Sequence, residues 1–164
     1  MVRILWLDND IAQTTPYVAA LERHGFEVTV VKTITECEQQ LETDTLESHH
    51  DLVIFDVMVP TKNLNEEERY PPDITQRGIS TGLAVWSRWS NRLRQNGTKT
   101  LVLTVRLDQA LKNRFLSAGL PKKSFATKLD LRETDTFIER VQKLLKDDGA
   151  QEIVEKSHDP EGIK

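Results

Sequence analysis

Three observations predict a doubly wound α/β domain with a five-stranded parallel sheet. Five short apolar runs recur along the 164 residues, segments of helical period separate them, and the runs end in polar or charged residues. Strands that are apolar at consecutive positions suit a sheet covered by helices on both faces, which parallel crossovers produce. Residues 3–7 (RILWL) predict the first strand and deliver Asp8, Asn9 and Asp10 at its C-terminal end. Pro16, Val18, Ala19, Ala20 and Leu21 predict a helix that stops at His24-Gly25, where a cation and a residue tolerant of positive φ belong. Phe26, Val28 and Val30 alternate with polar neighbours as a second strand, and Thr35 with Glu38 matches a capping box for a short helix through Leu41. Residues 52–55 (LVIF) form the third strand, which runs into Asp56. Residues 61–80 lack periodicity, carry Pro71-Pro72 and the run Glu66-Glu67-Glu68, and predict a long loop with solvated glutamates. Leu83, Val85, Trp86, Trp89 and Leu93 mark the apolar face of a helix from Thr81 to Asn96-Gly97, with both tryptophans as packing residues. Residues 101–103 (LVL) are the fourth strand, ending in Thr104; 107–118 predict a helix stopped by Gly119; and 124–127 form a fifth strand reaching Lys128. The last helix, 134–146, gathers Phe137, Ile138, Val141, Leu144 and Leu145 on one face. The organisation predicted is one domain over 1–149, interrupted by the 61–80 loop, and a polar tail over 150–164.

Composition narrows the function classes. Apolar residues make up 38% and charged residues 29%, which suits a globular core rather than a disordered chain. The net charge of −4 argues against a grip on nucleic acid or an anionic membrane, both of which need clustered Lys and Arg. A lone Cys37 excludes an internal disulfide, and with no secretory leader or bilayer-length apolar run the expected location is cytoplasmic. The four histidines and Cys37 lack zinc-ligand spacing.

In doubly wound sheets the ligand site lies outside the carboxyl ends of the strands. Those ends carry Asp8, Asn9, Asp10, Asp56, Thr104 and Lys128. Carboxylates on one side seek a hard cation such as magnesium, while an ammonium and a hydroxyl on the other suit phosphate oxygens. That pairing points to phosphoryl transfer. Asp56 stands alone on its strand and is the candidate nucleophile, whereas Asp10 reads equally as a cap of the following helix.

These segments resemble the receiver domains of two-component response regulators, whose fold is flavodoxin-like. RILWLDND resembles the family's first strand and acidic turn, LVIFDVMVP its phosphoacceptor segment, LVLTV the strand with the switch hydroxyl at Thr104, and AGLPKKSFATKLD the stretch carrying Lys128 and an aromatic switch position at Phe125. The resemblance covers residues 2–147 apart from 61–80. It implies that Asp56 accepts a phosphoryl group from a histidine kinase or phosphotransfer protein, with magnesium held by Asp8, Asn9, Asp56 and the Met58 carbonyl. It further implies a stand-alone switch that acts through an unknown downstream protein. The sequence departs from the family pattern at Asn9, where an acidic residue is usual, at Leu129, where proline is usual, at Val105, where a smaller residue is common, and in the 61–80 insertion. Magnesium binding is therefore expected to be weak. Two alternatives remain open: a receiver that never takes phosphate and serves as a constitutive binding module, and a phosphatase of the haloacid dehalogenase type using Asp8-x-Asp10. The second lacks a further acidic pair at a strand end, since Asp147-Asp148 follows a helix, and it leaves Asp56 idle.

Overall fold

The computed structural model describes residues 1–75, 80–105 and 108–147. The predicted tail 150–164 and the proposed helix start at Leu107 lie outside the described residues. Five strands, β1 (Arg3–Leu7), β2 (Glu27–Val31), β3 (Leu52–Asp56), β4 (Lys99–Thr104) and β5 (Phe125–Thr127), form one sheet in the order β2-β1-β3-β4-β5. Every pairing is parallel. Between and after them run α1 (Ile11–Arg23), α2 (Ile34–Glu42), α3 (Leu64–Arg69), α4 (Pro72–Thr75), α5 (Thr81–Asn96), α6 (Gln109–Ser117) and α7 (Thr134–Lys146).

The continuous apolar runs are explained by burial on both faces. Successive side chains alternate across a strand, so Leu5, Leu7, Val53, Phe55 and Val102 join one core with residues of α2, α5 and α6. Ile4, Trp6, Leu52, Ile54, Leu101 and Leu103 join the other, under α1 and α7. There Trp6 stacks on Phe137 with ring centroids 5.4 Å apart, and Tyr17 meets Phe137 edge-on. Helix stops fall where positive φ demands glycine: Gly25 at +86°, Gly97 at +77° and Gly119 at +102°. The lone Cys37 is fully buried, which pushes its thiol well above its usual range.

Two sequence expectations require correction. The cap of α2 is Thr33, whose side chain accepts from the Glu36 backbone N–H and donates to the Glu36 carboxylate, not the Thr35 and Glu38 pair. Both pairs satisfy the same spacing, and Thr35 is already inside the helix. The segment after β3 is not simply a solvated loop either. It forms α3 and α4, and Glu66 is fully buried, accepting from the Thr35 backbone N–H at 2.9 Å, the Thr35 hydroxyl at 2.5 Å and the Lys62 N–H at 2.7 Å. Tyr70 is buried too, and its hydroxyl donates to Glu38 at 2.8 Å. Glu38 also accepts from Trp89 Nε1 at 2.9 Å and pairs with Arg69. Two buried carboxylates, Glu66 on α3 and Glu38 on α2, thus fasten the junction after β3 to α2 and α5. Leu64, at the start of α3, is exposed.

Candidate functional site

The strand order reverses between β1 and β3, and their C-terminal ends place two carboxylates side by side. Asp8 follows β1, with its backbone N–H donating to the Val31 carbonyl, and its Oδ1 accepts from the Asp10 N–H at 2.9 Å. Asp56 ends β3, and its Oδ1 accepts from the Met58 N–H at 3.2 Å. Both are buried, at 1% and 5% exposure. Lys128, just beyond β5, reaches across β4 to them: its Nζ lies 3.1 Å from Asp8 Oδ2 and 3.6 Å from Asp56 Oδ2. Its backbone N–H donates to the Thr104 carbonyl at 2.7 Å, fixing the end of β5 against the end of β4. Thr104 is buried at that strand end, one register step from the Leu103 that pairs with Asp56.

Two buried carboxylates facing one ammonium leave an excess negative charge. Burial and the neighbouring Asp8 carboxylate push the Asp56 carboxyl up to about 6, against the opposing pull of Lys128 and the Met58 N–H. On Lys128 the order reverses: burial disfavours its charge, but Asp56 and Asp8 outweigh that and hold the ammonium above its usual value.

The structure brings Asp8, Asp56 and Lys128 together, with Thr104 at the adjoining strand end. Asn9 is exposed, as is Asp10, whose carboxylate caps α1 by accepting from the Gln13 N–H at 3.2 Å. Met58 is partly exposed beside the site. Phe125 is buried against Phe115, with ring centroids 5.7 Å apart. The donors fit a hard cation in kind, being carboxylate, amide and carbonyl oxygens. In number they are sparse, because no group of three or more His, Cys, Asp or Glu able to hold a metal occurs among the described residues. Asp147, half of the pair that the phosphatase alternative would need, is the C-cap of α7 and pairs with Lys123 at 2.5 Å, near the N-terminal starts of β4 and β5 rather than at the C-terminal strand ends that carry Asp8 and Asp56.

Sequence reasoning missed Gly82. A Cβ at this position would lie 2.6 Å from the Asp56 carbonyl oxygen and 2.8 Å from the Val57 Cα, so only glycine lets α5 dock this closely behind Asp56. The Gly82 N–H donates to the Val57 carbonyl at 2.9 Å. A glycine in the first turn of an otherwise sound helix was the available signal.

An all-parallel 2-1-3-4-5 sheet with acid, acid, hydroxyl and ammonium at successive strand ends defines a class of doubly wound proteins. Among solved structures the fold is that of response-regulator receiver domains. A CheY-like receiver domain protein from Methanospirillum hungatei is similar at 21% identity and a TM-score of 0.64, covering 88% of this chain and 94% of that one. A response regulator from Thermotoga maritima matches at 22% identity and 0.64, over 90% and 99%. The signal receiver domain of a putative LuxO repressor protein from Vibrio parahaemolyticus matches at 18% and 0.65, over 94% and 97%. No family model matches the sequence, and no curated protein matches it. No helix among the described residues is long and apolar enough to cross a membrane.

Proposed function

We propose that this chain is a signalling receiver in which Asp56 accepts a phosphoryl group from a phosphohistidine on a histidine kinase or phosphotransfer protein. The observation that carries the reading is the convergence of Asp8, Asp56 and Lys128, from three separate strand ends, within 3.6 Å of one ammonium. An oxygen of ionised Asp56 would bond to phosphorus as the donor's P–N bond breaks, leaving an acyl phosphate. With its carboxyl near 6, Asp56 is mostly ionised at neutral pH and remains basic enough to attack. Lys128 would offset charge on the transferred group, and the Thr104 hydroxyl, at the end of β4, would donate a hydrogen bond to one of its oxygens. Asp8, Asp56, the Met58 carbonyl and Asn9 would hold magnesium, which when bound neutralises phosphoryl oxygens. The output would be altered binding of a downstream protein.

Incubation with acetyl phosphate and magnesium, followed by intact-mass measurement, tests this. A gain of one phosphoryl group that vanishes in Asp56→Asn is expected; a gain that persists in that variant refutes the assignment. The sparse donor set and the exposed amide of Asn9 favour, as a second reading, a binding module that works without phosphate. Under that reading no gain occurs in either protein.

A further inference from the structure

The charges of this acidic chain are sharply segregated. Residues 76–128 contain eleven Lys and Arg but a single carboxylate, Asp108. The two helices from this stretch, α5 and α6, carry five cations and no Asp or Glu at all. Between them lies an open groove of about 690 Å³, lined by Leu83, Ala84 and Arg88 of α5, Arg114 of α6, and Arg69 and Tyr70 from the junction after β3. Small residues, Ser87 and Ser117 among them, complete its walls, so a backbone can approach closely.

Three guanidiniums face this groove and no carboxylate lines it. Their compensation is incomplete. Glu38, buried behind Tyr70, pairs with Arg69 and lies 4.0 Å from Arg88, so one carboxylate serves two cations. Arg88 lies over the Tyr70 ring at 5.7 Å, which holds its charge at the groove rim. Arg114 is exposed, with no carboxylate in reach among the described residues.

We infer that the α5–α6 groove is a docking site for an acidic, amphipathic helix of a partner protein. The floor supplies carbon from Tyr70, Leu83 and Ala84, and the rim supplies arginine, the composition that marks protein–protein anchor sites. Helix-in-groove recognition places apolar side chains at helical spacing in such a floor, with carboxylates meeting the rim. A nucleic-acid surface would instead present a polar, phosphate-tracking floor. The groove is distinct from the Asp56 cluster, and its occupancy does not require phosphorylation.

The test uses the unphosphorylated chain and a capped helical peptide of about 16 residues, with leucines at helical spacing and glutamates elsewhere. A lysine-for-glutamate analogue and a duplex DNA of similar length serve as competitors. Amide shifts confined to residues around Ser87, Arg88, Asn113 and Ser117 are expected with the acidic peptide and not with the basic one. Affinity should fall about tenfold in Arg114→Glu and weaken as salt rises from about 50 to about 500 mM. Because Arg114 is exposed, this variant should melt with the parent; Ser87→Trp, which fills the groove, should also abolish binding. Absence of binding, shifts elsewhere, or an affinity unchanged in Arg114→Glu would overturn the proposal. Tighter binding of the DNA to the same residues would overturn it in favour of a nucleic-acid face. None of these outcomes depends on whether Asp56 takes phosphate.

Discussion

Removing the Glu66 carboxylate should loosen the whole connection between β3 and α5. Glu66 is fully buried and accepts three hydrogen bonds, two of them from the backbone N–H groups of Thr35 and Lys62. A hydrogen bond to a charged group contributes about 1.5–3 kcal/mol net, and bonds sharing one acceptor group do not add. Glu66→Ala removes the acceptor and strands those donors, so a loss of about 2–4 kcal/mol is expected, a large part of a stability of about 5–15 kcal/mol. Glu66→Gln keeps one acceptor oxygen but turns an NH₂ toward a donor, and should fall between. The loss should also depend on pH. Burial pushes the Glu66 carboxyl up, but the Thr35 and Lys62 hydrogen bonds, with Arg69 nearby, outweigh it and hold the group below its ordinary 4.5. The unfolded chain therefore takes up this proton first. The contribution is complete above about pH 4.5 and disappears as the pH falls through the lower folded value. Urea unfolding followed by tryptophan fluorescence, at neutral pH and in steps below pH 4.5, measures both effects. A Glu66→Ala protein within about 0.5 kcal/mol of the parent at neutral pH would refute the clamp and restore the reading of 61–80 as a loose loop.

In metal-free protein Asp56 costs stability at neutral pH, because its folded value is raised from 3.8 to about 6: the stability present below 3.8 is lost as the pH rises through about 6. Asp56→Asn in EDTA should therefore raise stability at pH 7 by about 1–3 kcal/mol, and an unchanged denaturation midpoint would contradict the charge excess. Gly82→Ala forces a Cβ into the backbone behind Asp56 and should cost about 1–3 kcal/mol in thermal or urea unfolding; a neutral effect would mean that α5 can retreat without penalty. Asn9→Asp should tighten magnesium binding in a calorimetric titration, since a carboxylate adds charge to a sparse donor set; weaker binding than in the parent would remove Asn9 from the metal side.

The sheet was legible because its strands are buried on both faces, which leaves uninterrupted apolar runs ending at polar residues. Asp8, Asp56 and Lys128 were legible for the same reason, since each ends such a run and the parallel topology gathers run ends on one edge. The junction after β3 was not. Glu66 sits in a run of three glutamates that reads as solvent-facing, and its burial depends on donors from Thr35, 31 residues away. Carboxylates are almost never fully buried unless paired, and pairing across such a distance leaves no local mark. Glu38 was misread on the same ground. Its spacing from Thr35 imitates a capping box, while its actual partners, Tyr70 and Trp89, lie 32 and 51 residues on.

These buried carboxylates bear on Asp56 through α5. A long connection between β3 and α5 would, if loose, leave the helix free to shift against the strand. Glu66 ties the start of α3 to Thr35 of α2, and Glu38 of α2 accepts from Tyr70 at the end of α3 and from Trp89 in α5. The helix so held places Gly82 against the Asp56 carbonyl and donates its N–H to the Val57 carbonyl. Fixing those two carbonyls orients the backbone that carries Asp56 and the Met58 N–H bonded to it. Weakening the clamp should thus move Asp56 as well as the junction: in Glu38→Gln, which keeps the volume but removes the charge facing Arg69 and the tyrosine, the Asp56 and Met58 amide resonances should shift although both lie outside the substituted contact. Shifts confined to α2 and α3 would show that the junction and Asp56 are mechanically independent.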